Sequence, residues 1–201
     1  MQAVSPISSR FDRRPRIRRQ RLAGRWRERL RLPDGRELIL RPIEPADASA
    51  LQHGFGLLTP EEIRMRFLHP MKAMPESMAR RLANPDPKRE FALVAAEPLP
   101  PGQALIGAVV RASIDASGEG AEFAILVARL LARQGLGRLL MQRLLHWARA
   151  KRLRRVYGDV LEENQAMLAL ARSLGFQLRH PPCEPGLIRV ELELGPARAR
   201  S

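Results

Sequence analysis

The segment that most limits how this chain can fold runs from residue 121 to residue 147. An apolar strand, Ala121-Glu-Phe-Ala-Ile-Leu-Val127, leads through Arg133-Gln134-Gly135-Leu136-Gly137-Arg138 into a long helix. Leu136, Leu139, Leu140, Leu144 and Trp147 recur at helical spacing and mark one apolar stripe. That stripe must be laid on something, and a strand that feeds straight into it calls for a layered α/β domain.

The flanking sequence agrees. Leu30 and Leu32, then Leu38 and Leu40, flank the turn residues Pro33-Asp34-Gly35 and predict a hairpin. Helices are expected from Pro45 to about Phe55, after Thr59-Pro60-Glu61-Glu62, and over Met78–Leu82. Strands are expected at Phe91–Ala95, Ala104–Ser113, Ala121–Val127 and Val156–Leu161. A helix over Asn164–Leu174 with Gly175 behind it, then the alternating run Leu187–Leu194, complete the series. The expected fold is α/β, a mixed sheet with helices on both faces, in one domain over residues 28–195.

The net charge of +14 first suggests nucleic acid or an anionic surface. Its distribution changes that reading. Residues 1–31 hold eleven arginines against Asp12 and Glu28, a charge of +9, and residues 195–201 add +2. The body is left at +3. Residues 1–27 therefore read as an Arg-rich arm with little to fold around, and 196–201 as a tail. Leu22, Trp26 and Leu30 also fit one stripe of a basic amphipathic helix that could meet nucleic acid or anionic lipid. An organellar targeting segment is a third reading. The single cysteine, Cys183, excludes an internal disulfide and a multi-cysteine zinc site. The four histidines show no ligand spacing, so no metal is expected. No apolar run is long enough to span a bilayer or serve as a secretory signal, so a cytoplasmic setting is expected.

The glycine turn carries the chemistry. The first amides of a helix lack internal partners, and with the helix dipole they form an anion site. Glycine allows close approach, and Arg133 and Arg138 add charge. A tight turn serving only strand-to-helix packing is the alternative. The pattern is neither GxGxxG nor a phosphate-binding GxxxxGK[ST] loop.

Taken together, AEFAILV, RQGLGRLLM and ENQAMLALARSLGF resemble a GCN5-related N-acetyltransferase over residues 30–194. LPDGRELILRPIEPAD and TPEEIRMRF further resemble the acetyltransferase domain of bacterial protein lysine acetyltransferases. That resemblance implies a sheet with one splayed parallel strand pair that holds acetyl-CoA. It implies that Ile125, Leu126 and Val127 present backbone groups to the pantetheine arm. Arg133, Gln134, Gly135, Leu136, Gly137 and Arg138 would hold the pyrophosphate, and Asn164 would order the site or contact pantetheine. Asn164 also suits a plain helix cap. Two positions depart from the family pattern. Ala132 stands where Gln or Arg usually opens the loop, and Ala171 stands where many members carry a tyrosine acid.

The acceptor amine is protonated at neutral pH and must lose a proton to attack a thioester. Glu122, alone in an apolar strand, is the candidate base, with desolvation expected to raise its pKa. An outward-facing strand residue is the plainer reading. A strand amide near Leu126 or Val127 would meet the oxyanion. The leaving thiolate would take its proton from water or from the amine. Glu61, Glu62, Arg64 and Arg66 belong to the expected acceptor wall. The expected activity is acetyl transfer to an amine, foremost a protein lysine. A small-molecule amine, a protein N-terminus, and a non-catalytic acyl-CoA-sensing or nucleic-acid-binding module are the alternatives.

Overall fold

Among the described residues, mostly alternating or continuous apolar runs pair into a single nine-stranded sheet. The computed structural model describes residues 16–24, 26–181 and 184–195. The strands are β1 (Arg18–Arg21), β2 (Glu28–Arg31), β3 (Glu37–Pro42), β4 (Glu90–Ala96), β5 (Ile106–Ile114), β6 (Gly120–Val127), β7 (Arg155–Leu161), β8 (Gln177–Arg179) and β9 (Leu187–Glu193). Their spatial order is β1-β2-β3-β4-β5-β6-β7-β9-β8. Among the described residues five α-helices cover the sheet: α1 (Ala48–Gly56), α2 (Pro60–Phe67), α3 (Glu76–Ala83), α4 (Leu136–Ala150) and α5 (Gln165–Ser173). The expected mixed α/β fold is the one observed.

The two faces of the sheet are packed differently. On one face, Leu136, Leu140, Met141 and Leu144 of α4 and Leu168 and Ala171 of α5 join Val110, Ala112, Ala121, Phe123 and Val156 in one continuous core. Burying each such leucine contributes about 1.5–3 kcal/mol. On the other face the buried cluster against the sheet is small: Ile43, Ala92 and Val94, with Leu51, Ile106 and Val109 against them, while Ala50, Phe55, Ile63, Ala79 and Ala83 are buried in the covering helices. There, a buried ion pair supplies what apolar packing does not. Arg41 is 2% exposed and Asp47 is 0% exposed. Arg41 donates through both terminal nitrogens to the Asp47 carboxylate, at 2.7 and 2.8 Å. The amides of Glu44 and Gly102 also donate to Asp47, at 2.8 and 3.3 Å. Burial pushes the Asp47 carboxyl up, but the Arg41 guanidinium and these amides outweigh it and hold the pKa below 3.8.

The helix after Thr59 starts as its sequence predicts. The Thr59 hydroxyl accepts from the Glu62 amide at 3.2 Å, and Glu62 accepts from the Thr59 amide at 2.9 Å, with Pro60 leading the helix. The N-terminal expectation is corrected. Leu22, Trp26 and Leu30 form no helical stripe, because Leu30 lies in β2 and Arg18–Arg21 pair with Glu28–Arg31 as a hairpin. The turn closes through the Leu22 amide on the Arg27 carbonyl and Gly24 at φ +84°. Sheet structure therefore crosses the boundary expected at residue 28. Residues 1–15 and the 196–201 tail lie outside the described residues, as does Cys183.

Candidate active site

β6 and β7 form the one parallel pair of the described sheet, and that pair is short. Gly120, Ala121 and Glu122 lie against Arg155, Val156 and Tyr157, and pairing ends there. Beyond that point β6 keeps β5, with Val127 still opposite Ala108, while β7 keeps β9 along its whole length. Phe123–Val127 is thus left with one free backbone edge. The two strands open into a V, and Glu122 is the last paired residue of β6 at its apex. Gly158 follows immediately on the other arm. A Cβ there would sit 3.0 Å from the Phe123 carbonyl oxygen and from its ring, so a bare Cα is needed where the arms part.

The open end of the V leads to the glycine turn. Gly135 adopts φ +86° as it enters α4, and Arg133 adopts φ +62°. The first α4 amide to reach a backbone acceptor is that of Leu139, on Gly135 O at 3.1 Å. The amides before it, from Arg133 to Arg138, have no acceptor among the described residues. This cradle of free amides beside a glycine suits a pyrophosphate. Gly137 also serves packing: a Cβ on it would meet Leu170 Cδ2 of α5 at 3.3 Å.

The residues expected to form the site lie along β6, in the turn that enters α4 and at the start of α5. Ile125, Leu126 and Val127 lie on the free edge of β6, each half-buried. Leu136 is buried in the core, so only its backbone faces the turn. The Arg133 side chain is exposed. Arg138 donates to Ser173 Oγ at 2.7 Å, which ties its guanidinium to α5. Gln134 donates to Asp34 Oδ2 of the β2–β3 turn at 2.8 Å. Asn164 caps α5, accepting from the Met167 amide at 3.0 Å. Ala171 lies in the core and carries no acid.

Glu122 corrects one expectation. It is exposed, not desolvated by its apolar strand. Strand alternation explains this: Ala121 and Phe123 point into the α4 core, and Glu122 points to the opposite, thinly covered face. Its carboxylate lies close enough to Arg66, Tyr157 and Arg189 for its charge to act on each of them. Tyr157, from β7, is brought opposite Glu122 by the parallel register, and its hydroxyl donates to Asp115 Oδ2 at 3.4 Å. Burial, then the charges of Asp115 and Glu122, push the Tyr157 phenol up. No local pattern pointed to Tyr157. Only the pairing of two strands 35 positions apart places it there.

The Glu122 face of the sheet also carries a cavity of about 730 Å³. Its walls come from α1, α2 and the start of α3's approach, with Phe55, Leu58, Phe67 and Met74 among them, and its floor is Val109, Arg111 and Leu126. Arg66 projects into it from α2. Burial, then the neighbouring charge of Arg111, bring Arg66 down to about 10. Glu62, expected in the acceptor wall, is engaged by the amides of Thr59 and Arg129. Arg64 pairs with Glu163, which joins α2 to the approach to α5.

Comparison with known proteins points the same way. Residues 37–177 match the family described as acetyltransferase (GNAT) domain. The fold is similar to the GNAT domain of Streptomyces lividans PAT, with a TM-score of 0.72 and 26% identity, covering 84% of this chain and 97% of that one. It is also similar to a GCN5-related N-acetyltransferase from Kribbella flavida, with a TM-score of 0.59 and 21% identity over 78% and 98% of the two chains. A cAMP-binding acyltransferase from Mycobacterium smegmatis shares the fold, with a TM-score of 0.56 and 21% identity. That match spans 90% of this chain and 48% of that one.

Proposed function

The chain belongs to the GNAT acetyltransferase family, whose members are acetyl-CoA-dependent acyltransferases, and from that premise we propose that it acetylates a protein lysine with Glu122 as general base. The observation that carries this reading is the end of the β6–β7 pairing at Glu122. The V opens there, its free β6 edge runs toward the amide cradle of α4, and a carboxylate stands at the apex. The residues present fit the cosubstrate. Ile125–Val127 offer free main-chain groups to the pantetheine amides. The amides of Arg133–Arg138 offer donors to the pyrophosphate, with the Arg133 side chain free to add charge. Asn164 acts by holding the start of α5 beside the cleft.

The chemistry asked of these residues is modest. Acetyl-CoA supplies an activated thioester. Glu122 accepts a proton from the acceptor ammonium, directly or through one water, which its exposed position permits. The neutral nitrogen forms the C–N bond, the C–S bond breaks, and a β6 amide near Leu126 or Val127 meets the oxyanion in between. With Ala171 in place of a phenol, the departing thiolate takes its proton from water or from the nitrogen. The lysine assignment is supported by the resemblance to bacterial protein lysine acetyltransferases and by the likeness to the GNAT domain of S. lividans PAT. We place the reaction in the cytoplasm, and read the arginines of residues 1–27 as a means of drawing the protein to anionic surfaces or nucleic acid.

Glu122→Gln is the direct test. Calorimetry should show acetyl-CoA affinity retained, while turnover falls by about 10²–10⁴-fold. Unchanged turnover would remove Glu122 from the mechanism. An acetyl-lysine comparison between wild-type and deletion cells tests the acceptor, and no altered site would count against a protein substrate.

A further inference from the structure

Two guanidinium groups in the cavity on the Glu122 face stand out for what they lack. Arg66 and Arg111 line the same space, and each is half-buried. Neither has a carboxylate within ion-pair distance among the described residues. Arg111 donates to the Leu82 carbonyl, and Arg66 lies 4.8 Å from the centre of the Phe67 ring. The acids that share the cavity wall are committed elsewhere. Glu62 accepts from two amides, Glu97 accepts from the Leu105 amide at 3.1 Å, and Glu37 lies 3.8 Å from Arg29.

Arg66 and Arg111 repel each other among Phe55, Phe67, Met74 and Leu126, and the carboxylate charges that act on them, Glu122 on Arg66 and Glu90 on Arg111, stand beyond ion-pair distance. Both arginine pKa values are pushed down, first by burial. Sheet register ties this pair to the reacting end of the site. Arg111 lies opposite Ala124, two residues along the same face of β6 from Glu122. Arg66 lies near enough to feel both Arg111 and Glu122. An anion seated between Arg66 and Arg111 would therefore sit beside the carboxylate that takes the amine proton.

We infer that Arg66 and Arg111 form a carboxylate subsite in the acceptor cleft, and that the preferred acceptor is a lysine with an acidic residue beside it. This deepens the lysine reading above and rests on it. The geometry also aids the chemistry. Two fixed cations near the incoming ammonium disfavour its charged form, so less is asked of an exposed Glu122. The carboxylate of a free amino acid would offer the same chemistry, and the test separates the two sources.

The test compares matched peptides in which the residue beside lysine is Asp or Glu, or else Asn or Gln. With wild-type enzyme, kcat/KM should favour the acidic peptides by about tenfold or more, chiefly through KM. In Arg66→Gln and Arg111→Gln the ratio should collapse toward one. In Arg66→Glu it should invert toward peptides with a basic neighbour. Arg66→Lys, which keeps a charge with less wall disturbance, should retain part of the preference. Thermal melts identify any variant that is not folded. Binding of the same peptides to CoA-loaded protein gives a readout independent of turnover. Equal kcat/KM and equal affinity for acidic and amide peptides would overturn the subsite, as would a preference that survives Arg66→Gln. Transfer to free amino acids but not to their carboxamides, with no peptide used, would uphold the subsite and overturn the protein-lysine reading.

Discussion

The two faces of the sheet solve different problems with the same strands. The α4–α5 face is closed by Leu136, Leu140, Met141, Leu144 and Leu168 into one apolar layer. The α1–α3 face has a small buried cluster against the sheet, a cavity of about 730 Å³, the exposed Glu122 and two arginines with no carboxylate in ion-pair distance among the described residues. Alternate side chains of β6 therefore face a closed core and an open cleft. Phe123 fills the core while Glu122 stands at the apex of the V. The difference teaches that the cavity-bearing face leans less on apolar packing against the sheet. It is held instead by the Arg41–Asp47 pair and by caps such as Thr59–Glu62.

That contrast can be broken from either side. The largest effect is expected at Asp47. Asp47→Asn leaves Arg41 buried with a weakened partner and should cost about 3–5 kcal/mol in urea unfolding at pH 7. The sign of the pH dependence follows from the lowered Asp47 pKa. The pair's contribution is fully present above the usual carboxylate value of 3.8 and is lost as pH falls through the lower folded-state value. The gap between wild type and Asp47→Asn should therefore narrow in acid. A gap that widens there would contradict the ion-pair account. Next is Leu144→Ala in the closed face, expected to cost about 2–5 kcal/mol. Acetyl-CoA affinity of the folded fraction should be unchanged. A specific loss of affinity would show that the two faces are not separable.

A steric test at the seam comes third. A Cβ on Gly107 of β5 would lie 2.3 Å from Leu131 Cδ1, a flexible side-chain end just ahead of the glycine turn. Gly107→Ala should cost about 1–3 kcal/mol as Leu131 repacks. It should weaken acetyl-CoA binding more than Leu144→Ala does, and calorimetry on both variants decides this. The smallest effect is expected for Leu126→Ala on the cavity floor. Stability should change by about 1 kcal/mol or less, because the residue is only half-buried, while acceptor KM rises. A large stability loss with unaltered KM would move Leu126 from the site to the core.

Much of the frame was legible because local signals were strong. Pro33-Asp34-Gly35 between leucine pairs, Thr59-Pro60-Glu61-Glu62 and the Leu136–Trp147 stripe each determine their own neighbourhood. The strand Ala121–Val127 and the glycine turn also stand where the sequence puts them. What was not legible depends on partners distant in the chain. Arg18–Arg21 is exposed at all four positions and has no apolar alternation, so only pairing with β2 makes it a strand. Gln177–Arg179 gains its strand character from β9 in the same way. Burial of Glu122 was misjudged from its apolar neighbours, since composition along a strand does not say which face is covered. Tyr157 and Arg111 reach the site through sheet register alone. Arg66 was visible within the acceptor wall, but its lack of an acidic partner was not.

The way the V parts the sheet bears on the order of events in catalysis. On the proposed reading, the free β6 edge and the α4 amides take acetyl-CoA, while the acceptor enters from the cavity on the α1–α3 side, the face to which Glu122 points. Neither route crosses the other, so both substrates can be aboard at once. Initial-velocity plots should then show lines that intersect, not the parallel lines of a substituted-enzyme scheme, and no acetyl group should remain on the protein when the acceptor is withheld.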